Sequence, residues 1–138
     1  ESTIISLCNK PMILRLGGME REKIGKFLNM KLKYHSNFRK IAVPGQSLVH
    51  YSPGIPINLN IKTPNSNEAF ILIKKRKKTC NNYFYLSKSK NLKQAAKNLY
   101  KTLRLIKKKK FKKIAVEKIP NHGFGEVIND RLKRASIK

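Results

Sequence analysis

Asn91–Ile106, NLKQAAKNLYKTLRLI, places apolar side chains at Leu92, Ala95, Ala96, Leu99, Leu103 and Ile106. That spacing follows i, i+3, i+4, i+7, the pattern of a helix with one buried face. Asn91 supplies the N-cap oxygen. On the amino side Tyr83–Leu86 reads as a short strand, and on the carboxyl side Ile114-Ala115-Val116 reads as a strand of the fully buried kind. Gly123-Phe124-Gly125 then leads into a second helix with Val127, Ile128 and Leu132 on one face. Strand–helix–strand–helix over residues 83–135 predicts a βαβ crossover and a small, partly parallel α/β domain of Rossmann-like, three-layer form. The pattern leaves the strand order open.

Working upstream, Ala69–Ile73 is a continuous apolar run, and Ile57, Leu59 and Ile61 alternate with Asn58 and Asn60. Both read as strands, so this domain spans residues 57–138. Residues 33–56 form a long connection with Tyr34, His35 and Phe38 ahead of VPGQSLVHYSP, Val43–Pro53. The prolines favour extended backbone there, while Leu48, Val49, His50 and Tyr51 together exceed what a solvated spacer needs. Residues 1–32 predict a strand at Ser2–Leu7, a turn at Asn9-Lys10-Pro11, a returning strand at Met12–Leu16 and a short helix with Ile24, Phe27 and Leu28 as its apolar face. A strand pair and one short helix bury little by themselves, so this block requires a larger body to pack on. The opening ESTIISL, without Met and already strand-patterned, predicts a fragment that enters in the middle of a fold.

The formal charge is +25. Clustered cations neutralise phosphates and release counterions, which points to nucleic acid such as tRNA. The competing reading, which the sequence favours, is compositional drift: Lys far outnumbers Arg, and Asn and Ile are abundant beside it. Lys107–Lys110 falls at a helix end where cations suit the dipole in any case. No apolar run approaches the roughly 20 residues needed to span a bilayer, and no signal peptide is visible, so a cytoplasmic location is expected. Cys8 and Cys80 are isolated, without metal-ligand spacing, and reduced thiols are the expectation.

Few residues group in a way that carries chemistry. Ser2 and Thr3 lead one strand and Arg15 lies in the strand returning beside it, a placement that can put two hydroxyls and a guanidinium on one face of the pair. A planar guanidinium suits phosphate or carboxylate oxygens. Gly123-Phe124-Gly125 before a helix offers backbone N–H groups to a phosphate, but it lacks the GxGxxG spacing, and a plain glycine turn is the stronger reading. Asn129, Asp130, Arg131 and Arg134 read as a capped, salt-bridged helix face.

Three segments in series resemble one family, the two-domain threonylcarbamoyl-adenylate synthases of tRNA modification. ESTIISL with MILRLGG is similar to the closing strands of the YrdC-like catalytic domain, where the family tends to show ESTVVD and ILRPGG. VPGQSLVHYSP resembles the interdomain linker, and NLKQAAKNLYKTLRLI with IAVEKIPNHGFGEVINDRLKRAS resembles the end of the smaller C-terminal domain. The resemblance implies residues 1–32 as a remnant of the truncated catalytic domain, 33–56 as linker and 57–138 as the accessory domain. It implies a nucleotidyltransferase that makes threonylcarbamoyl-AMP and pyrophosphate from threonine, bicarbonate and ATP with Mg²⁺, for transfer to adenosine 37 of certain tRNAs through partner proteins. It places Ser2 and Thr3 at the threonine and nucleotide site, Arg15 on ATP, and Tyr51 with His50 on a linker that closes the cleft. Leu16 stands where the family usually has proline, and Ser47-Leu48-Val49 departs from a basic-aromatic linker. Most of the cleft, Mg²⁺ binding included, would lie upstream of Glu1, so this chain alone is expected to be inactive. A non-enzymatic basic module that binds tRNA or a partner protein is the alternative.

Overall fold

A computed structural model describes residues 1–35, 43–44 and 51–137. Among the described residues seven strands form two sheets, and three helices pack on them, one helix serving both sheets as a wall.

The C-terminal sheet holds β4 (Ile57–Asn58), β5 (Ala69–Leu72), β6 (Tyr83–Tyr85) and β7 (Ile114–Val116) in the order β4-β7-β5-β6. Every pairing is parallel, with Ile57 opposite Ile114, Ile71 opposite Val116 and Ile71 opposite Phe84. Residues Ala69–Leu72 have no exposed surface, as their unbroken apolar run predicts. The long helix α2 (Leu92–Lys108) is capped by the Asn91 side chain, which accepts the Gln94 N–H at 2.9 Å. It carries the chain from β6 across to β7, and Ala95, Leu99, Leu103 and Ile106 meet Ile71, Phe84, Ile114 and Val116 in the main core. The last helix, α3 (Phe124–Ser136), adds Ile128, Leu132 and Ala135 to the same core. The opposite face of the sheet has its own cluster, Phe70, Leu72 and Ala115 with Ile61, Tyr83 and Tyr85 against it. This mixed α/β architecture, a parallel sheet flanked by helices, is the class that the α2 periodicity predicts.

The N-terminal sheet has β1 (Ile4–Ser6) antiparallel to β2 (Met12–Arg15), turned by Asn9 in the left-handed region at φ 58°. Two details differ from expectation. Lys33–Tyr34, within the expected connection, adds a third strand β3 parallel to β2. In α1 (Arg21–Phe27) Ile24 is buried, whereas Phe27 is 89% exposed and Leu28 is 40% exposed. The helix stops at Phe27, after less than two turns, so only the residue nearest its middle reaches Ile13, Leu16 and Leu32.

The blocks meet along α3. Val127 packs into the small N-terminal core, Arg21 pairs with Glu126 at 2.9 Å, and the Glu22 carboxylate accepts the Gly123 N–H at 3.1 Å. Gly123 sits at φ 51°, a conformation that favours glycine. Its N–H is therefore occupied by a carboxylate of the chain's own, consistent with the glycine-turn reading of Gly123-Phe124-Gly125.

Candidate functional site

Between the Gly17-Gly18 turn and the start of α2 lies a cleft of about 670 Å³. Glu1, Gly17 and Gly18 form one wall, Lys93, Lys97 and Tyr100 of α2 the facing one, and Arg131 of α3 lines it as well.

The wall from the N-terminal block is built by a close crossing of backbone. The Gly18 N–H donates to the Glu1 carbonyl at 2.8 Å, and a Cβ on Gly17 would collide with the backbone of Ser2 and Thr3. The Thr3 hydroxyl donates to the Met19 carbonyl at 2.7 Å and accepts the Met19 N–H at 3.1 Å. Ser2 and Thr3 thus lie ahead of β1 rather than inside it, because the chain there is held across the glycine turn. Arg15 is brought beside them: its Nε donates to the Ser2 carbonyl at 3.0 Å and its Nη1 to the Pro44 carbonyl at 2.9 Å. One guanidinium therefore ties the start of the chain to the connection. Tyr51 is placed separately, and His50 lies outside the described residues.

Tyr51 is only 5% exposed. Its hydroxyl donates to Glu1 Oε1 at 2.7 Å, and its ring stacks on Tyr100 with centroids 5.4 Å apart. The Arg131 guanidinium lies over the Tyr51 ring, 4.8 Å from its centroid. Arg131 also donates to the Glu1 carboxylate, to the Leu16 carbonyl at 2.7 Å and to Asp130 at 2.6 Å. Asp130 further accepts from Tyr34 at 2.6 Å and from Arg134 Nε at 3.1 Å. Every segment named so far is joined through this network: the start of the chain, the β2 end, β3, the end of the connection, α2 and α3.

The electrostatics follow from the pairing. Burial raises the Glu1 carboxyl, but the Tyr51 hydroxyl and the Arg131 guanidinium outweigh it and hold Glu1 below the usual carboxylate range. Burial, then the bond to Glu1, pushes Tyr51 up to about 12. Tyr34 is likewise pushed up to about 12, by burial and by its bond to Asp130. At neutral pH the network thus holds neutral phenols, ionised Glu1 and cationic Arg131. Such a set fixes geometry. The cations lining the cleft from α2, Lys93 and Lys97, are exposed.

Sequence reasoning singles out Ser2, Thr3, Arg15, Tyr51 and His50 as site residues; it does not single out Glu1, Tyr100 or Arg131, the last of which it reads as part of a salt-bridged helix face. Tyr100 lies inside an amphipathic helix and Arg131 inside a charged one, where each looks like ordinary surface patterning. Glu1 and Arg131 are 130 positions apart, and no local signal links them. Among the described residues no group of three or more His, Cys, Asp or Glu side chains is placed to hold a metal ion. No helix among them is long and apolar enough to cross a membrane.

Residues 19–136 match the family model described as threonylcarbamoyl-AMP synthase, C-terminal domain. The fold is similar to the crystal structure of P. abyssi Sua5 complexed with L-threonine, with a TM-score of 0.77 and 24% identity over 99% of this chain and 45% of that one. It is also similar to a P. abyssi Sua5 variant with an adjacent His and Tyr both changed to Ala, with a TM-score of 0.72 and 22% identity over 99% of this chain and 44% of that one. The chain thus spans less than half the length of these solved proteins. A comparison with curated proteins gave no match.

Proposed function

The chain belongs to the family of threonylcarbamoyl-AMP synthase C-terminal domains, and from that premise we propose that it is the C-terminal part of a cytoplasmic L-threonylcarbamoyladenylate synthase. The parent enzyme is then a nucleotidyltransferase that converts threonine, bicarbonate and ATP to threonylcarbamoyl-AMP and pyrophosphate for tRNA modification. The 138-residue chain by itself is inactive on this reading.

One observation carries the proposal furthest. Among the described residues the large exposed hydrophobics are Leu7, Met19, Phe27, Leu28, Met30, Leu105 and Ile137, and the first five lie in residues 1–32. Large apolar surface left exposed within one block marks a place that another body can cover. A catalytic body packed on that block, in the part of the solved relatives this chain does not span, accounts for it.

Within such an enzyme Arg15 would face the nucleotide with its remaining Nη N–H groups, since Nε and one N–H of Nη1 donate to the Ser2 and Pro44 carbonyls. Its fixed charge would stabilise charge building on the α-phosphate as pyrophosphate departs. Ser2 is exposed and can still offer its hydroxyl, whereas Thr3 has committed its proton to Met19 and retains only acceptor capacity. Tyr51 would act as the fixed post from which the connection closes the cleft and excludes water. The sole His-Tyr step in the chain is His50-Tyr51, and a neighbouring His-Tyr pair is what was removed in the P. abyssi variant. Mg²⁺ would be held mainly by the part of the parent enzyme that this chain does not span.

The test is to join the chain to a catalytic domain of the family and measure pyrophosphate release. Release dependent on both threonine and bicarbonate is expected, with Tyr51→Ala lowering it about tenfold or more, on the scale of a lost positioning contact. Release indifferent to threonine would remove the assignment, and full turnover by Tyr51→Ala would remove the post.

A further inference from the structure

Lys93, Lys97, Lys101, Arg104 and Lys108 are all exposed on α2. At 100° per residue they fall within about 80° of one another around the axis and extend along about 22 Å of it. The buried residues Ala95, Leu99, Thr102, Leu103 and Ile106 occupy the opposite side. These five cations therefore form one straight stripe on a rigid support, and Lys107, the sixth exposed cation of α2, lies about 40° to one side of it.

Fold stability does not explain the stripe. Lys93 and Lys97, Lys97 and Lys101, and Arg104 and Lys108 are like-charge pairs at i,i+4, which destabilise a helix. Lys93 also sits in the first turn, where the helix dipole disfavours a cation. A merely solvated face would interleave acids, yet α2 contains none. The carboxylates elsewhere in residues 57–138 are all engaged. Glu68 accepts the Asn65 N–H, Glu117 accepts the Ile73 N–H and pairs with Arg76, Glu126 pairs with Arg21, and Asp130 is enclosed by Arg131 and Arg134. The basic loop Lys74–Lys78 is less suited to a partner, because Arg76 is tied to Glu117 and lies 5.1 Å over the Phe70 ring.

We propose that the exposed face of α2 binds the phosphate backbone of double-helical RNA without reading its sequence. A row of cations at one-turn spacing complements a ridge of phosphates. Single strands need aromatic platforms, and the stripe has none. A lipid surface needs flanking apolar anchors, and Leu105 is the one large hydrophobic of α2 that is exposed. RNA rather than DNA follows from the family's place in tRNA modification; the proposal rests on that membership and not on the catalytic reading above. Lys93 and Lys97 also line the cleft, so RNA held on the stripe lies next to the candidate site.

The experiment measures fluorescence anisotropy of a labelled RNA hairpin with a stem of roughly 20 base pairs, titrated with the 138-residue chain from about 50 to about 300 mM salt. One variant changes Lys93, Lys97, Lys101, Arg104 and Lys108 to Gln. A control variant removes the same charge by changing Lys74, Lys75, Lys77, Lys78 and Lys118 to Gln. The stripe variant should bind at least tenfold more weakly and show a salt slope shallower by about 3–4; the control should lose less than threefold. On the wild type, RNA should shield Lys93, Lys97, Lys101 and Lys108 from acetylation more than Lys74–Lys78, a readout that does not depend on the variants folding. Equal losses in the two variants, uniform shielding, no RNA binding at low salt, or tighter binding to phosphatidylserine vesicles than to RNA would each overturn the proposal. Any of those results leaves threonine-dependent pyrophosphate release standing as a separate question.

Discussion

The Tyr51 hydroxyl donates to Glu1 Oε1 at 2.7 Å while the Arg131 guanidinium holds the same carboxylate and covers the Tyr51 ring. The end of the connection and the start of the chain are thereby locked to α3 through one carboxylate. The ring and the hydroxyl contribute separately, and substitution can divide them.

Tyr51→Phe keeps the stack on Tyr100 and removes the bond to Glu1, a carboxylate that solvent can partly rehydrate. The expected loss is about 1–2 kcal/mol. Tyr51→Ala also empties a buried aromatic site, with an expected loss of about 3–5 kcal/mol. Urea denaturation of the two variants measures both, and equal losses would show that the ring contributes nothing.

Asp130 is buried between Arg131 and Arg134 and also accepts from Tyr34. Asp130→Asn preserves the shape but removes the carboxylate that two buried guanidiniums share, while Arg131 keeps its pair with Glu1, for an expected loss of about 3–5 kcal/mol. Tyr34→Phe, which breaks one bond in the same network, should cost about 1–2 kcal/mol. Because these residues share partners, the double variant should cost less than the sum, which a double-mutant cycle reads directly.

Tyr34 and Tyr51 both have pKa values of about 12 in the folded chain against an ordinary 10. A raised pKa means that the folded state keeps the proton more tightly. The associated stability is fully present below pH 10 and is lost as pH rises through about 12. Tm should therefore fall between pH 10 and 12, and the fall should be smaller in the Tyr34→Phe/Tyr51→Phe variant. An identical slope in the variant would assign the alkaline transition to other groups.

Gly17 and Gly18 are adjacent yet should respond differently to substitution. A methyl on Gly17 meets the Ser2 and Thr3 backbone, whereas the nearest atom to one on Gly18 is the Glu1 carbonyl oxygen at 3.5 Å. Gly17→Ala should cost about 1–3 kcal/mol through forced backbone movement, and Gly18→Ala should be close to neutral. Thermal melts of the pair distinguish a required close approach from a generic glycine turn.

Some of this architecture is local and therefore readable in the sequence. The α2 periodicity fixes which face is buried, and the run Ala69–Ile73 marks a strand covered on both sides. Asn9 and Asn91 mark a turn and a cap by side-chain chemistry that acts within a few residues. Ser2, Thr3 and Arg15 group through the strand pair that the sequence predicts, whereas a role for them and for Tyr51 comes only from the resemblance of the segments that contain them. Phe27 was misjudged because helical spacing assigns a face without saying how many turns the helix completes or what body lies opposite.

The strand order, the third strand at Lys33–Tyr34 and the Glu1–Tyr51–Arg131 contact were decided by tertiary structure alone. Each depends on residues far apart in sequence, whose encounter is set by how the blocks pack along α3. The charge divides in the same way. The sequence established its sign and excess, because those are sums over residues. Only the fold showed that the carboxylates of the C-terminal domain are engaged with partners while five of the six cations of α2 lie in a single line, because segregation of charge is a property of surfaces.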